Sequence, residues 1–260
     1  VNIREFIDDT ARSVAFLSRL PVPARHFEGH DGRLSRAIRA FPLAGILIVL
    51  PAAATGAILS ALDAPPLLLA FAVLALQALL TGALHEDGLS DSADGIGGGR
   101  DRDSALAIMK DSRIGSYGAV ALVLSFGLRS AAIAALAVVL TPSGLGMVLL
   151  GVAAASRAAL VWHWSLLPPA RADGVAASVG EPETGAVRLA LTSGAVLAVL
   201  LMLPHVALAA TALAFVATVL AVLAFNRAAA GKIGGHTGDT IGATQQLSEM
   251  AVLFALALAT

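Results

Sequence analysis

The sequence predicts an all-α fold: a polytopic integral membrane helix bundle of about seven transmembrane helices, with an N-terminal interfacial amphipathic helix. Three observations predict it. Hydrophobic residues make up 57% of the chain and charged residues 13%, with a mean hydropathy of +0.83, whereas soluble domains carry about 25% charged residues. The apolar residues gather into runs of the ~20 residues that a helix needs to cross a bilayer. Finally, fifteen of the 17 Lys and Arg residues fall on alternate connections between these runs, the asymmetry that the positive-inside rule describes. The runs are rich in Ala and Leu and do not alternate apolar with polar, which argues against membrane strands. A net charge of −1 with no basic run argues against a nucleic-acid surface. The absence of Cys removes disulfides, thiolate metal sites and a cysteine nucleophile.

The elements follow in order. Over residues 1–40, Ile3, Phe6, Ile7, Val14, Leu17 and Leu20 recur at helical spacing with Arg4, Asp8, Asp9 and Arg12 between them, the pattern of a helix lying in the interface. Seven candidate spans come next, at about Phe41–Leu62, Pro66–Leu84, Gly118–Leu140, Ser143–Trp164, Ala186–Leu203, Val206–Phe225 and Ile241–Thr260. The last is the most polar, with Gln245, Gln246, Ser248 and Glu249. The arm carries seven Arg, the connection after the second span four cations, and those after the fourth and sixth spans two each. The turns at 63–65, 141–142 and 204–205 carry none. This places the N-terminus in the cytoplasm and the C-terminus outside. The chain reads as a single membrane domain over 1–260. It has a cytoplasmic interfacial arm at 1–40, a transmembrane bundle at 41–260, and cytoplasmic active-site loops at 85–117, 165–185 and 226–240.

The outer turns are too short to hold a site, so the chemistry belongs on the cytoplasmic side. Four stretches stand out there. In the first, His85 to Gly95, Asp87, Asp91 and Asp94 stand at i, i+4 and i+7, which is one face of a helix. Three carboxylates on one face repel unless a cation neutralises them. Oxygen ligands select a hard ion, so Mg²⁺ is the natural choice, its shell completed by water and substrate phosphate. The plainer reading is a solvated acidic helix end. The second stretch, Gly95 to Arg100, is rich in backbone N–H donors but lacks a Walker pattern, and reads better as a mobile linker than as a phosphate cradle. A helix over Asp103–Asp111 should follow it, capped by Ser104 or Asp103.

The third stretch offers Lys110, Asp111, Ser112 and Arg113 just before the third span. Its cations suit phosphate or carboxylate recognition, and equally suit ordinary juxtamembrane charge that sets topology. The fourth holds His236, Thr237, Asp239 and Thr240 among glycines. It reads either as a helix N-terminus with an anion-binding turn or as a capped turn with Asp239 or Thr240 as the cap. Arg19, at the stiff Arg19–Pro23 turn, is a candidate ligand or a headgroup contact. Arg129, Arg157 and Glu249 lie within or near spans, where charge is costly and marks either function or an internal ion pair. Trp162 and Trp164 read as interfacial anchors, and His163 and His205 as structural.

The order and spacing of these stretches resemble the cobalamin synthase family, adenosylcobinamide-GDP ribazoletransferases, over nearly the whole chain. The resemblance rests on Arg19-Leu-Pro-Val-Pro23, Phe41-Pro42-Leu43 and His85-x-Asp87-Gly-Leu-x-Asp91-x-x-Asp94-Gly95, followed by Met109-x-Asp111-Ser-Arg113-x-Gly115 and Gly235-x-Thr237-Gly-Asp239-Thr. No role carries over to Glu86, and the stretch 171–185 matches nothing. The resemblance implies a Mg²⁺-dependent enzyme of the bacterial inner membrane acting late in coenzyme B12 biosynthesis. It would transfer the adenosylcobinamide-phosphate group from adenosylcobinamide-GDP to α-ribazole or its 5′-phosphate, releasing GMP. Its partners would be these substrates and membrane lipid, with no nucleic acid; a homo-oligomer stays open.

On that reading a ribose hydroxyl attacks phosphorus and GMP leaves, a reaction that depends on positioning and charge neutralisation. Asp87, Asp91 and Asp94 would hold Mg²⁺ on the diphosphate. Arg19, Lys110, Asp111, Ser112, Arg113, His236, Thr237 and Thr240 would bind substrate, with charge-assisted contacts from the two cations of the third stretch. His85, Asp94 and Asp239 are the candidates for the base. Two other classes fit less well. A CDP-alcohol phosphotransferase would need an Asp-Gly-x-x-Ala-Arg start that Asp87-Gly88 does not continue. An ion-coupled transporter would place its charges at mid-membrane in repeated halves, and no internal repeat is visible.

Overall fold

The computed structural model describes residues 2–171, 174 and 178–260 of the chain. Ten α-helices account for most of the described residues: α1 (Ile3–Leu17), α2 (Phe41–Ala61), α3 (Pro66–Thr81), α4 (Leu84–Gly98), α5 (Arg102–Ile108), α6 (Ser116–Val139), α7 (Pro142–Leu166), α8 (Thr184–Met202), α9 (Leu208–Ile233) and α10 (Gly238–Ala259). Among the described residues there is no strand, only an isolated bridge between Pro169 and His236. Among the described residues, six helices are long and apolar enough to cross a membrane: α2, α6, α7, α8, α9 and α10. The number becomes seven if the bent pair α3 and α4 is one span.

That bend is the main departure from the expected second span, Pro66–Leu84. Gly82 and Ala83 both adopt the left-handed conformation, with φ of 65° and 58°. Two successive left-handed residues end a right-handed helix. The chain turns by 90° and starts α4. Glycine suits the first position because it has no Cβ to clash there. Its missing Cβ also leaves room for Arg19, whose Nε lies 2.0 Å from where a Cβ would sit. The Arg19 backbone N–H donates to Leu80 O at 2.8 Å. The turn leaving α1 therefore clamps the α3–α4 bend.

Other boundaries also move. The expected loop 85–117 is largely helical, and its glycine run is no mobile linker. Gly95, Gly97 and Gly98 lie within α4, where a Cβ on Gly95 would meet the Met109 side chain at 2.5 Å and one on Gly97 the Tyr117 ring at 2.8 Å. Close packing outweighs the low helix propensity of glycine here. Helix α5 runs from Arg102 to Ile108 and is capped by Asp101, not Ser104 or Asp103; its carboxylate accepts from Ser104 N at 2.8 Å. The expected loop 226–240 is also shorter, because α9 continues through Arg227 and Lys232 to Ile233. Of the expected loop 165–185, residues 172–173 and 175–177 lie outside the described residues.

Helix α7 is the centre of the bundle, packed by α2, α8 and α10. Its run Ala153–Ala159 is Ala-rich and wholly buried, and small residues let helix backbones approach closely in a membrane. The outward faces carry exposed Leu68, Val123, Leu200, Leu220 and others, as lipid-facing helices do. Helix α1 docks in an unexpected sense: Ile3 and Ile7 face outward while Asp9 and Ser13 are buried. Arg39 donates to Asp9 at 2.7 Å and Ser13 Oγ to Ala37 O at 3.0 Å. These polar contacts and the packing of Val14, Phe16 and Leu17 hold the helix to the protein, leaving Ile3 and Ile7 exposed for an interface. Trp164 departs from its expected role as an interfacial anchor. It is buried against Phe41 and His236, with ring centroids 6.4 Å away in each case.

Candidate active site

The site forms where α4 meets the N-terminus of α10. Helix α4 depends on a glycine for this contact. A Cβ on Gly88 would stand 2.7 Å from Asp239 O and 3.2 Å from Gly242 Cα. Helix α10 begins with a capping box in which Thr237 Oγ1 accepts from Thr240 N and Thr240 Oγ1 accepts from Thr237 N at 2.9 Å. The cap is therefore Thr237, where Asp239 or Thr240 was expected. The hydroxyls of Thr237 and Thr240 are used in building this helix start. Thr240 also meets His163 Nε2 at 3.0 Å.

This packing brings Asp239 towards Asp87 and Asp91 on α4. The Asp91 carboxylate interacts electrostatically with those of Asp87, Asp239 and Asp94, and with the Arg171 guanidinium. Arg171 Nη2 donates to Asp239 Oδ2 at 3.1 Å, as does Thr237 Oγ1 at the same distance. Asp87 is exposed and Asp91 partly so. They and Asp239 form a carboxylate group open to a ligand, with Arg171 beside it. Arg171 is one of the two cations counted after the fourth span. Its partner lies 68 residues away, and nothing local marks it.

Asp94 shares the helix face but is buried and already engaged. Its Oδ2 accepts from Gly115 N at 2.7 Å and its Oδ1 from Gly118 N at 2.9 Å. The carboxylate caps the start of α6, where unpaired N–H groups and the helix dipole favour a negative charge. A Cβ at either glycine would lie 2.3 Å from an Asp94 oxygen, which explains why glycines stand there. Among the described residues, no three His, Asp or Glu side chains are gathered closely enough to enclose a metal by themselves. Mg²⁺ fits such a site differently, through one or two carboxylates plus water and substrate phosphates, and Asp87 and Asp91 offer that donor set.

The remaining candidates are spread around this centre. His85, on α4, is buried, and its Nε2 has no hydrogen-bond partner. It lines a cavity of about 160 Å³ with Asp87, Asp239, Phe16 and Trp164. His236 is fixed by its backbone, donating to Pro168 O and accepting from Ala170 N at 2.8 Å each. Burial, and then the nearby His163, push its pKa down to about 4, so it is neutral at physiological pH. Arg102 was passed over in the sequence. Its Nε donates to Ile233 O at 3.0 Å and its Nη2 to Ala170 O, tying α5 to the segment before α10. Asp111 and Arg113 form an exposed forked ion pair, with Arg113 Nη2 donating to Asp111 Oδ2 at 2.6 Å. This pair holds the Asp111 carboxyl down at about 2. It lines a cleft of about 280 Å³ beside Asp94 and Tyr117. Lys110 and Ser112 are exposed at the same edge. Arg19 lies at the α3–α4 bend.

Behind α4, the charges flagged within the spans meet as one buried cluster. Arg129 contacts Glu249 at 3.3 Å and Glu86 at 3.4 Å, and Arg157 contacts Glu249 at 3.5 Å. Gln246 Nε2 donates to Glu86 at 3.0 Å. Two cations and two anions balance, and Gln245, Gln246 and Glu249 on the polar face of α10 find partners inside the bundle, while Ser248 Oγ has none. Glu86, which had no assigned role, supplies the second anion.

With this geometry in place, comparison with known proteins is decisive. The family model for cobalamin-5-phosphate synthase matches residues 9–257. The chain belongs to the cobalamin-5-phosphate synthase family. An adenosylcobinamide-GDP ribazoletransferase of Sinorhizobium medicae is 67% identical over 99% of this chain and 98% of its own length. One from Rhizobium meliloti is 66% identical over 99% of both, and one from Brucella canis 41% identical over 97% of both. No solved structure matches. Membership in the cobalamin-5-phosphate synthase family bears out the resemblance drawn from the motifs. Those motifs map onto the contacts above: His85 to Gly95 is α4, and Gly235 to Thr240 builds the start of α10.

Proposed function

We propose that this chain is an adenosylcobinamide-GDP ribazoletransferase. It moves the adenosylcobinamide-phosphate group of adenosylcobinamide-GDP onto a ribose hydroxyl of α-ribazole, or α-ribazole 5′-phosphate, and releases GMP. The single observation that carries this, beyond the family, is the meeting of Asp87, Asp91 and Asp239 beside Arg171 at an open helix junction. The CDP-alcohol and transporter readings have no comparable support.

Asp87 and Asp91 are the residues that would hold Mg²⁺, with Asp239 facing them. Bound there, the ion supplies positive charge to the diphosphate and its leaving phosphate. Arg171, paired with Asp239, adds a guanidinium suited to phosphate oxygens. Arg113 can exchange Asp111 for a phosphate at the neighbouring cleft, since exposed ion pairs are held weakly. Two of the three candidate bases can take the hydroxyl proton: His85, with its unpartnered Nε2, and Asp239, at the open end, whose Oδ2 accepts from Arg171 and Thr237. Asp94 is the least suited, because both of its oxygens hold α6. His236, Thr237 and Thr240 act by shaping the start of α10, and Arg19 by fixing the bend that starts α4.

The site faces the cytoplasm of a bacterial inner membrane, with the N-terminus on the same side and the C-terminus outside. Fifteen of 17 cations lie on the side of the site, which supports this orientation. The exposed Leu, Val and Phe side chains of the spans are the lipid contacts.

The test is product formation by the purified protein in detergent or lipid. Adenosylcobinamide-GDP and α-ribazole are supplied with Mg²⁺ or with EDTA, and GMP and the cobalamin product are separated by chromatography. Metal-dependent appearance of both in equal amounts is the expected result. Folded protein that forms neither, with either acceptor, refutes the proposal.

A further inference from the structure

The cavity beside the carboxylates has a shape and lining that the reaction has not yet used. It lies between α1, α4, α7 and α10, and its volume is about 160 Å³. Pockets for whole drug-sized ligands measure roughly 300–1,000 Å³, so this one holds a fragment. Phe16, Leu160 and Trp164 give it a largely apolar, aromatic lining. Asp87 and Asp239 also line it. His85 also lines it, 2% exposed, with an Nε2 that has no hydrogen-bond partner. A buried ring nitrogen left unpaired is costly, and a ligand hydrogen bond removes that cost.

From this we infer that the cavity binds the heterocyclic base of the acceptor nucleoside, with its ribose directed to the carboxylates. The inference rests on the ribazoletransferase reading above. Of the groups that the two substrates bring, a corrin ring is far too large for this space. Guanine carries an amino group, a ring N–H and a carbonyl, which a largely apolar lining would leave unpaired. A bicyclic aromatic base without exocyclic polar groups fits between Phe16 and Trp164, and its free ring nitrogen or the ribose hydroxyls meet His85. The base then acts as an anchor that fixes which hydroxyl reaches the diphosphate. Selection of acceptors should follow the size and polarity of the base.

The test reads binding apart from turnover. The chain has two Trp, so Trp162→Phe leaves Trp164 as the sole reporter in the intact protein. α-Ribazole should quench its emission saturably, and guanosine should not. Leu160→Phe, which fills the cavity, should weaken acceptor binding by about tenfold or more and raise the acceptor KM alike, with the donor KM unchanged. Unaltered Trp164 emission at acceptor concentrations that saturate turnover would overturn the inference. So would unchanged acceptor affinity in a folded Leu160→Phe protein. If that variant fails to fold, the quenching result alone decides. Quenching without any product would retain the cavity assignment and refute the reaction; product without quenching would do the reverse.

Discussion

Asp94 illustrates how a motif residue can be legible while its contact is not. Its spacing from Asp87 and Asp91 puts it on their helix face, but its partners are Gly115 N and Gly118 N, across the whole of α5. Helical periodicity carries no information on a contact 21 and 24 residues away. The two glycines were visible in the sequence; only the structure shows that they vacate space for this carboxylate. Replacing Asp94 with Asn should therefore cost about 1–3 kcal/mol of stability, from weakened buried hydrogen bonds to the start of α6. Thermal unfolding in detergent checks this. A variant as stable as the parent but inactive would instead point to a direct chemical role. His236 belongs to this scale too. Its pKa of about 4 in the folded protein lies below the usual 6.5, so the unfolded chain binds a proton that the folded chain refuses as pH falls between these values. Its contribution to stability should be constant above pH ~6.5 and decline towards pH ~4, a slope that His236→Gln should reduce.

At the scale of elements, long periodic segments were the most legible. Helices α2, α6, α7 and α8 start and end close to the expected spans, since hydropathy and turn residues agree there. The errors fall where glycine packing overrides propensity. Gly95 to Gly98 read as a linker because glycine weakens helices in isolation, yet Met109 and Tyr117 fill the space beside them. The same device builds the site, through Gly88 on α4. Gly88→Ala places a Cβ 2.7 Å from Asp239 O, a backbone atom that moves only if α4 and α10 part. A shift of about 1 Å in reacting groups can cost ~10²-fold in rate. We expect a folded Gly88→Ala protein to lose activity on that order; activity within a few-fold of the parent would show that this close approach does not position the site.

Across the whole molecule, the buried cluster of Glu86, Arg129, Arg157 and Glu249 joins α4, α6, α7 and α10. Three of these residues were recognisable as costly charges within spans. Their mutual pairing was not, because sequence separations of 43 to 120 residues leave the partners unspecified. The cluster fixes α4 from behind while Asp87 and Asp91 face outward. Glu249→Gln leaves two guanidiniums with one carboxylate, and breaking a buried pair in this way costs about 3–5 kcal/mol. The variant should show a lowered unfolding midpoint, whereas an unchanged midpoint would mean that the cluster adds nothing to the packing of the bundle. The carboxylates at the junction of α4 and α10 are the proposed carriers of a metal-dependent transfer. The most direct test titrates Mg²⁺ against GMP release for the parent and for Asp91→Asn, with equal folding verified by chromatography and thermal unfolding. The account predicts a saturable Mg²⁺ dependence in the parent and a loss of roughly 10²-fold or more in Asp91→Asn; turnover at the parental rate and Mg²⁺ requirement in that variant would contradict it.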